Sequence, residues 1–100
     1  MEISTSVEAN KATVRIAGKL TVNTTPDLNA AIDALPPHVC DLDVDLTDLS
    51  YVSSSGLRVF VAVDKRMGKS GGVMRLLHPS DEMLGVFEMT GLSEIFAIER

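Results

Sequence analysis

Three consecutive serines, Ser53, Ser54 and Ser55, are the residues whose type and position best suit chemistry in this chain. They follow a segment with strand character, and Gly56 after them opens a run with helical character. A helix N-terminus has about four backbone N–H groups without partners and a partial positive charge. One serine is enough to cap such a helix, whereas a phosphate on a serine there would meet free donors. The cluster therefore predicts either a cap with two loop serines or a phosphorylation site, with Arg58 within reach of a phosphate on Ser54.

Other residues that could take part in catalysis or ligand binding form weaker patterns. Cys40 is the single cysteine, and no motif places a histidine or asparagine around it, so a small apolar filler is favoured over a nucleophile. Residues 68–70, with the sequence GKS, resemble the end of a phosphate-binding loop, but Val63 stands where that pattern requires glycine. His38 and His78 have no cysteine or acid at metal-binding spacing. The sequence therefore predicts no catalytic centre, no metal site and no cofactor.

The composition indicates one small domain with an aliphatic core. The chain has 100 residues, is 45% hydrophobic, and contains no tryptophan and one tyrosine, which predicts a single domain over residues 1–100. A net charge of −5 argues against a nucleic-acid partner, because such a partner requires a basic face. No apolar run approaches the roughly 20 residues of a membrane span, and no secretory signal is visible. Together with the single cysteine, these features favour the cytoplasm and exclude membrane insertion.

Elements before the serines are predicted from alternation and turn chemistry. Two extended runs flank a turn at Asn10 and Lys11, which predicts a hairpin whose second strand ends at Gly18. A first helix follows, with Thr25 as its cap and Pro26 at its first position.

Elements from the middle of the chain onward alternate in the same way. The segment VCDLDVDL is a strand, TDLSYVSSS is a loop, and a largely buried helix runs from about Gly56 to Met67. A strand, a helix capped by Ser80 and closed by Gly91, and a short last strand complete the order ββαβαβαβ. This order predicts an α/β fold with a mostly parallel sheet of about five strands.

One strand conflicts with this prediction. The aspartates of DLDVD, Asp41 and Asp43, face the same way, although a central parallel strand is usually apolar on both faces. Either that face is partly uncovered or the strand is shifted.

The stretch DLTDLSYVSSSGL resembles the hallmark segment of STAS-domain proteins of the anti-sigma factor antagonist family. Asp45 matches the aspartate that ends a strand in the family, Ser54 the phosphorylatable serine, and residues 55–57 the Ser-Gly-Leu that follows. AGKLTVNTTPDLNAAI is similar to the family's Gly-Glu-Leu-Asp segment and helix, and GLSEIFAI to its Gly-Leu-x-x-Ile-Phe ending. The resemblance covers nearly the whole chain and implies a single STAS-like domain, a mixed sheet with an N-terminal hairpin and helices packed against it.

The resemblance implies a regulator without catalytic activity that works by partner switching. The unmodified domain is expected to bind an anti-sigma factor that is also a serine kinase, to be released when Ser54 is phosphorylated, and to be restored by a PP2C-type phosphatase. Ser53 and Ser55 are alternative acceptors, and a monomer is favoured. The implied partner-binding residues are Thr21, Asn23, Thr24, Ser53, Ser54, Ser55, Gly56 and Arg58.

The chain departs from the family pattern at three acidic positions. Ser53 and Thr21 stand where the family has aspartates, and Lys19 stands where it has a glutamate. Losing these acids makes the region less repulsive to phosphate but removes contacts that a kinase could use. An alternative is therefore a constitutive docking subunit of a lipid-transport ABC-type complex, in which the serines form a surface and no switch. A small enzyme such as a nucleotide hydrolase is a third hypothesis.

Overall fold

Strands and helices alternate around a mixed six-stranded sheet in the computed structural model, which describes all residues from Met1 to Arg100. The strands are β1 (Glu2–Glu8), β2 (Lys11–Leu20), β3 (Asp41–Asp45), β4 (Leu49–Val52), β5 (Met74–Leu77) and β6 (Ala97–Glu99). The helices are α1 (Thr25–Asp33), α2 (Ser54–Lys69) and α3 (Asp81–Met89), with a 3-10 helix at Leu92–Glu94. None of the helices is both long enough and apolar enough to cross a membrane.

The sheet confirms the predicted fold class and adds one strand to it. Its order is β1-β2-β3-β5-β6, and only the β1–β2 hairpin is antiparallel. The sixth strand, β4, lies in the segment predicted as a loop and pairs in parallel with the second half of β2. This pairing is possible because β2 is long: β3 pairs with residues 11–15 of it and β4 with residues 18–20.

Three local predictions at the N-terminal half are wrong in detail. The hairpin turn lies at Ala9 and Asn10, with Ala9 in the left-handed region (φ 56°). Gly18 does not end β2; it takes a positive φ of 99° at an irregularity, and the strand continues to Leu20. Thr25 is the first residue of α1 and does not cap it, because Thr24 holds the N-cap position and makes no side-chain cap bond.

The two later helices agree more closely with the prediction from sequence. Ser80 caps α3, since its hydroxyl accepts a hydrogen bond from Met83 N–H at 3.2 Å. Gly91 follows α3 in the left-handed conformation that ends many helices (φ 78°). Helix α2 is longer than predicted and begins two residues earlier, at Ser54.

A single aliphatic core lies on the side of the sheet that the helices cover. Alternate residues of β2, β3 and β5 point into it, and all three helices contribute to the same cluster of 20 buried residues. Phe96 joins the helices at one end, with its ring edge-on to Phe60 and Phe87 at centroid distances of 6.4 and 5.7 Å. Burial of this one face specifies the register of the strands.

The conflict at the middle strand is resolved by an ion cluster on the opposite face of the sheet. Asp43 is only 6% exposed, but Lys11 Nζ on β2 lies 2.7 Å from its Oδ2 and Arg75 Nη1 on β5 lies 3.1 Å from its Oδ1. The strand is not shifted; cations from both neighbouring strands neutralise the carboxylate on a face without a helix. A buried carboxylate is tolerated when it is paired in this way.

A close backbone contact sets where β3 and β5 begin. A Cβ on Gly72 would lie 1.7 Å from the carbonyl oxygen of Cys40. The next residue, Val73, accepts a hydrogen bond from Leu42 N–H at 2.9 Å, and its own N–H donates to Asp41 Oδ1 at 3.2 Å. Only glycine allows this approach of the two chain segments.

Candidate functional site

The pairing of β4 with β2 brings two distant segments of the chain together. Leu20 and Val52 are register partners at the ends of these parallel strands, and Ser53 N–H donates to the Leu20 carbonyl at 2.9 Å. The loop of residues 21–24 and the three serines therefore leave the sheet side by side. Ligands of open α/β sheets commonly bind at this carboxyl edge of the strands.

A bulge in β4 exposes an aromatic side chain beside this edge. The register shifts between Gly18 and Lys19, so Ser50 is an extra residue whose hydroxyl donates to the Gly18 carbonyl at 2.9 Å. Tyr51 is 51% exposed, and Val22 in the neighbouring loop is 67% exposed. Both lie within residues 21–24 and 49–55, the segments expected to form the partner-binding face, although neither is among the individual binding residues that the resemblance implies. We call residues 21–24 and 51–55 together with Arg58 the serine face.

The three serines have different hydrogen bonds. Ser53 is the N-cap of α2, and its Oγ accepts from Gly56 N–H at 3.2 Å. Ser55 Oγ lies 2.7 Å from Ser53 Oγ and shares a hydrogen bond with it. Ser54 is exposed, and its hydroxyl has no partner within the chain. Only Ser54 therefore offers a hydroxyl that can react without breaking a hydrogen bond within the chain.

The electrostatic surroundings of Ser54 suit an anion. Ser54 is the first residue of α2, the first turn of that helix contains no acidic residue, and exposed Arg58 follows one turn later. The unpaired N–H groups and the dipole of the helix start favour negative charge at this position.

Gly56 is buried and determines how closely α2 approaches the strand ends. A Cβ at this position would lie 2.8 Å from Leu20 Cδ2 and 2.8 Å from Val52 Cγ2. The serines are therefore held against the ends of β2 and β4 by a contact that leaves no room for a side chain.

The loop of residues 21–24 is held by its own hydroxyl groups. Thr24 Oγ1 accepts from Thr21 N–H at 2.8 Å and lies 3.0 Å from the Lys19 carbonyl, to which it donates. Thr21 Oγ1 accepts from Asn23 N–H at 3.2 Å. Asn23 is exposed, whereas Thr21 and Thr24 are half-buried. These bonds order the loop next to the serines.

Comparison with known proteins identifies the family. A family model described as "Mlab, STAS domain" matches residues 3–98. The chain belongs to the STAS domain family of anti-sigma factor antagonists. The anti-sigma-B factor antagonist of Bacillus subtilis is 36% identical over 100 residues, which cover 98% of this chain and 92% of that protein.

Solved structures confirm the fold of this STAS domain. A candidate anti-sigma factor antagonist from Thermotoga maritima superposes with a TM-score of 0.89 at 19% identity, covering 98% of this chain and 86% of that one. The anti-sigma factor antagonist SpoIIAA in its unphosphorylated form has a TM-score of 0.79 at 20% identity, covering 99% and 87% of the two chains.

Both substituted aspartate positions of this STAS domain keep a local hydrogen bond while losing a charge. Serine is as good an N-cap as aspartate, and Ser53 makes that bond. A threonine hydroxyl can form the same type of turn as an aspartate carboxylate, and Thr21 does so with Asn23. Lys19 adds a cation that is in none of the four ion pairs of the chain. The serine face contains no acid.

Asp45 of the STAS domain orders the turn before β4 and makes no hydrogen bond to the serines. The hydroxyl and the N–H of Thr47 donate to Asp45 Oδ1 at 2.5 and 3.0 Å. The Thr47 hydroxyl lowers the pKa of the Asp45 carboxyl below its ordinary value, with smaller contributions from the Thr47 amide, His78 and Arg15 that burial partly opposes. The matched strand-end aspartate is thus part of the scaffold that returns the chain to β2.

Replacing Ser53 by alanine is expected to cost about 1 kcal/mol of unfolding free energy, because the Gly56 N–H loses its acceptor. Ser53→Asp, which restores the family's acid, should retain the cap and leave stability within about 0.5 kcal/mol of the starting protein. Urea unfolding followed by circular dichroism measures both. A Ser53→Ala protein as stable as the starting protein would show that the cap contributes nothing.

Proposed function

We propose that this STAS domain is an anti-sigma factor antagonist that works by partner switching through Ser54. Unmodified, it binds an anti-sigma factor with serine kinase activity and thereby frees the sigma factor. Phosphorylation of Ser54 ends that complex, and a PP2C-type phosphatase restores the free hydroxyl. The protein acts in the cytoplasm and has no catalytic activity of its own.

The observation that carries this proposal is the unequal bonding of the three serines. Ser53 Oγ is occupied by the helix cap and Ser55 Oγ by Ser53, whereas Ser54 Oγ is exposed and free. A kinase can therefore reach the Ser54 hydroxyl without breaking a hydrogen bond of the domain. Ser53 and Ser55 remain alternative acceptors, but modifying Ser53 would cost the cap.

The electrostatics of the helix start support a switch that needs no refolding. A phosphate on Ser54 adds about −1.5 to −2 charges at pH 7. The helix start and Arg58, four residues on, offset this charge within the free domain. In a complex, the same phosphate must be desolvated or must face groups chosen for a neutral hydroxyl. The free domain tolerates the modification and the interface does not.

The relatives support the same proposal at a coarser level. The B. subtilis relative is named an anti-sigma-B factor antagonist. SpoIIAA, which shares the fold at 22% identity and a TM-score of 0.77, has also been solved in a phosphorylated form, with 97% of this chain and 90% of that one covered.

Phosphorylation by the anti-sigma factor kinase of the source organism tests the proposal. With ATP, the unaltered domain should incorporate one phosphate, and Ser54→Ala should incorporate less than about one tenth as much because its acceptor is gone. Intact mass and phosphosite mapping measure the result.

Ser55→Ala and Ser53→Ala serve as matched controls, since each removes one hydroxyl from the same turn. Both should still be labelled. Continued labelling of Ser54→Ala would transfer the site to a neighbouring serine, and absence of label from every form would refute the phosphorylation switch.

A further inference from the structure

The flank of α2 that begins one turn after Ser54 carries an open apolar groove. Leu57 and Val61 of α2 face Leu92 of the 3-10 helix, and all three pack against the core while remaining partly exposed. The groove has a volume of about 350 Å³.

Both charged residues that line the groove are basic and unpaired. The remaining lining residues are Arg58, Ala62 and Lys65, and the four ion pairs of the chain use other cations, namely Lys11, Arg15, Arg66 and Arg75. Two free cations beside an apolar floor stand out in a protein with a net charge of −5. Arg58 and Lys65 are seven residues apart, which separates them by about 10 Å, or two helical turns.

We infer that this groove binds an acidic amphipathic helix of the partner protein. The inference rests on the proposed function, because the groove continues the serine face and Arg58 belongs to both. The apolar floor accepts residues at i, i+3 or i+4 and i+7 of the bound helix, as in other helix-in-groove complexes. Glutamates or aspartates on the flank of that helix pair with Arg58 and Lys65, which sets its orientation.

An anionic membrane is a poorer occupant for this groove. Membrane attraction scales at about 1 kcal/mol for each basic residue near the surface, and the groove offers two such residues on a domain whose net charge of −5 opposes the approach. A protein helix gains from both the apolar floor and the local charges without bringing the acidic remainder of the domain to a negative surface.

Two synthetic peptides test the inference without any kinase or phosphorylation. Both are fluorescein-labelled amphipathic 18-mers with leucines at helical spacing; one carries glutamates on its polar flanks and the other carries lysines. Fluorescence anisotropy should give at least about tenfold tighter binding of the glutamate peptide, because attraction at two sites is exchanged for repulsion. The preference should diminish as salt is added.

Charge reversal in the groove provides the decisive variant. Arg58→Glu combined with Lys65→Glu should invert the preference toward the lysine peptide, while Lys69→Glu, on the same helix but outside the groove, should leave it unchanged. Equal binding of the two peptides, or an equal effect of Lys69→Glu, would overturn the inference. Co-sedimentation with phosphatidylglycerol vesicles or a self-association that the double variant abolishes would also overturn it, by assigning the surface to lipid or to a second copy.

Failure here is distinguishable from failure of the proposed function. A domain that is phosphorylated on Ser54 but does not discriminate the peptides keeps its switch and loses only this partner chemistry. A domain that discriminates the peptides but takes no phosphate has the groove without the switch.

Discussion

Ser54→Glu is expected to weaken binding of the anti-sigma partner more than about a hundredfold, which corresponds to about 3 kcal/mol. Under the proposed function, Ser54 lies within the interface with that partner, where the variant replaces a neutral hydroxyl with a negative charge. The folded domain itself should be unaffected or slightly stabilised, because an acid in the first turn of α2 interacts well with the helix dipole. Isothermal titration calorimetry with the purified partner measures the affinity.

Ser54→Gln is the matched control for this prediction, because it has the size of glutamate without the charge. Ser54→Gln should bind the anti-sigma partner nearly as tightly as the unaltered domain does, whereas Ser54→Glu should not. If the two variants lose equally, the effect is steric. If Ser54→Glu stays within a few-fold of the unaltered domain, the serine face is a constitutive docking surface, as in a subunit of a lipid-transport complex, and partner switching is refuted.

Gly72→Ala is expected to destabilise the fold by about 3 kcal/mol or more, at or beyond the upper end of ordinary overpacking effects. The new Cβ would lie 1.7 Å from the Cys40 carbonyl oxygen, and a backbone atom cannot move aside as a side chain does. The segments that begin β3 and β5 would have to separate. A domain of this size has a total stability of about 5–15 kcal/mol, so urea unfolding should show a clear shift of the midpoint.

Gly85→Ala is a suitable control for the glycine substitution. Gly85 lies inside α3, and a Cβ there would meet nothing within 4 Å. It should stabilise the domain by up to about 1 kcal/mol through helix propensity. A Gly72→Ala protein as stable as the Gly85→Ala protein would show that the contact with Cys40 relaxes without cost.

The order of most elements could be predicted from sequence because each has a local signal. Leucines and valines at a period of two or of 3.6 residues, together with the Ser80 cap and Gly91, mark strands and helices with little reference to the rest of the chain. The long resemblance to STAS domains then supplied the fold. These signals were sufficient for the α/β class and for placing Ser54 at a helix start.

Strand β4 could not be predicted because its signal is not local. It has four residues, an internal bulge at Ser50, and a partner in the part of β2 beyond Gly18. The sequence offers a glycine there, which is ordinarily a reason to end a strand. Pairing of two segments about 30 residues apart is a tertiary property, and without it the adjacency of the Thr21 loop and the serines rests on resemblance alone.

The separate bonding of the serines and the tolerance of Asp43 were unpredictable for a related reason. Three identical side chains in a row do not indicate which of them caps the helix. Ser53 is the cap because of the position and direction in which the chain leaves β4. Asp43 looked misplaced because its neutralising partners, Lys11 and Arg75, are each 32 residues away along the chain. Both facts require the strand order, which alternation patterns do not contain.

The exposed ring on β4 makes this protein its own optical reporter. Tyr51 is the single tyrosine of a chain without tryptophan, and it lies 51% exposed two residues before the helix cap. Apart from the weak emission of three phenylalanines, the intrinsic fluorescence of the domain therefore originates within the serine face. Docking of a partner should shield the Tyr51 ring from a soluble quencher such as iodide, and release should restore the quenching. Both events could be followed in real time and without a label.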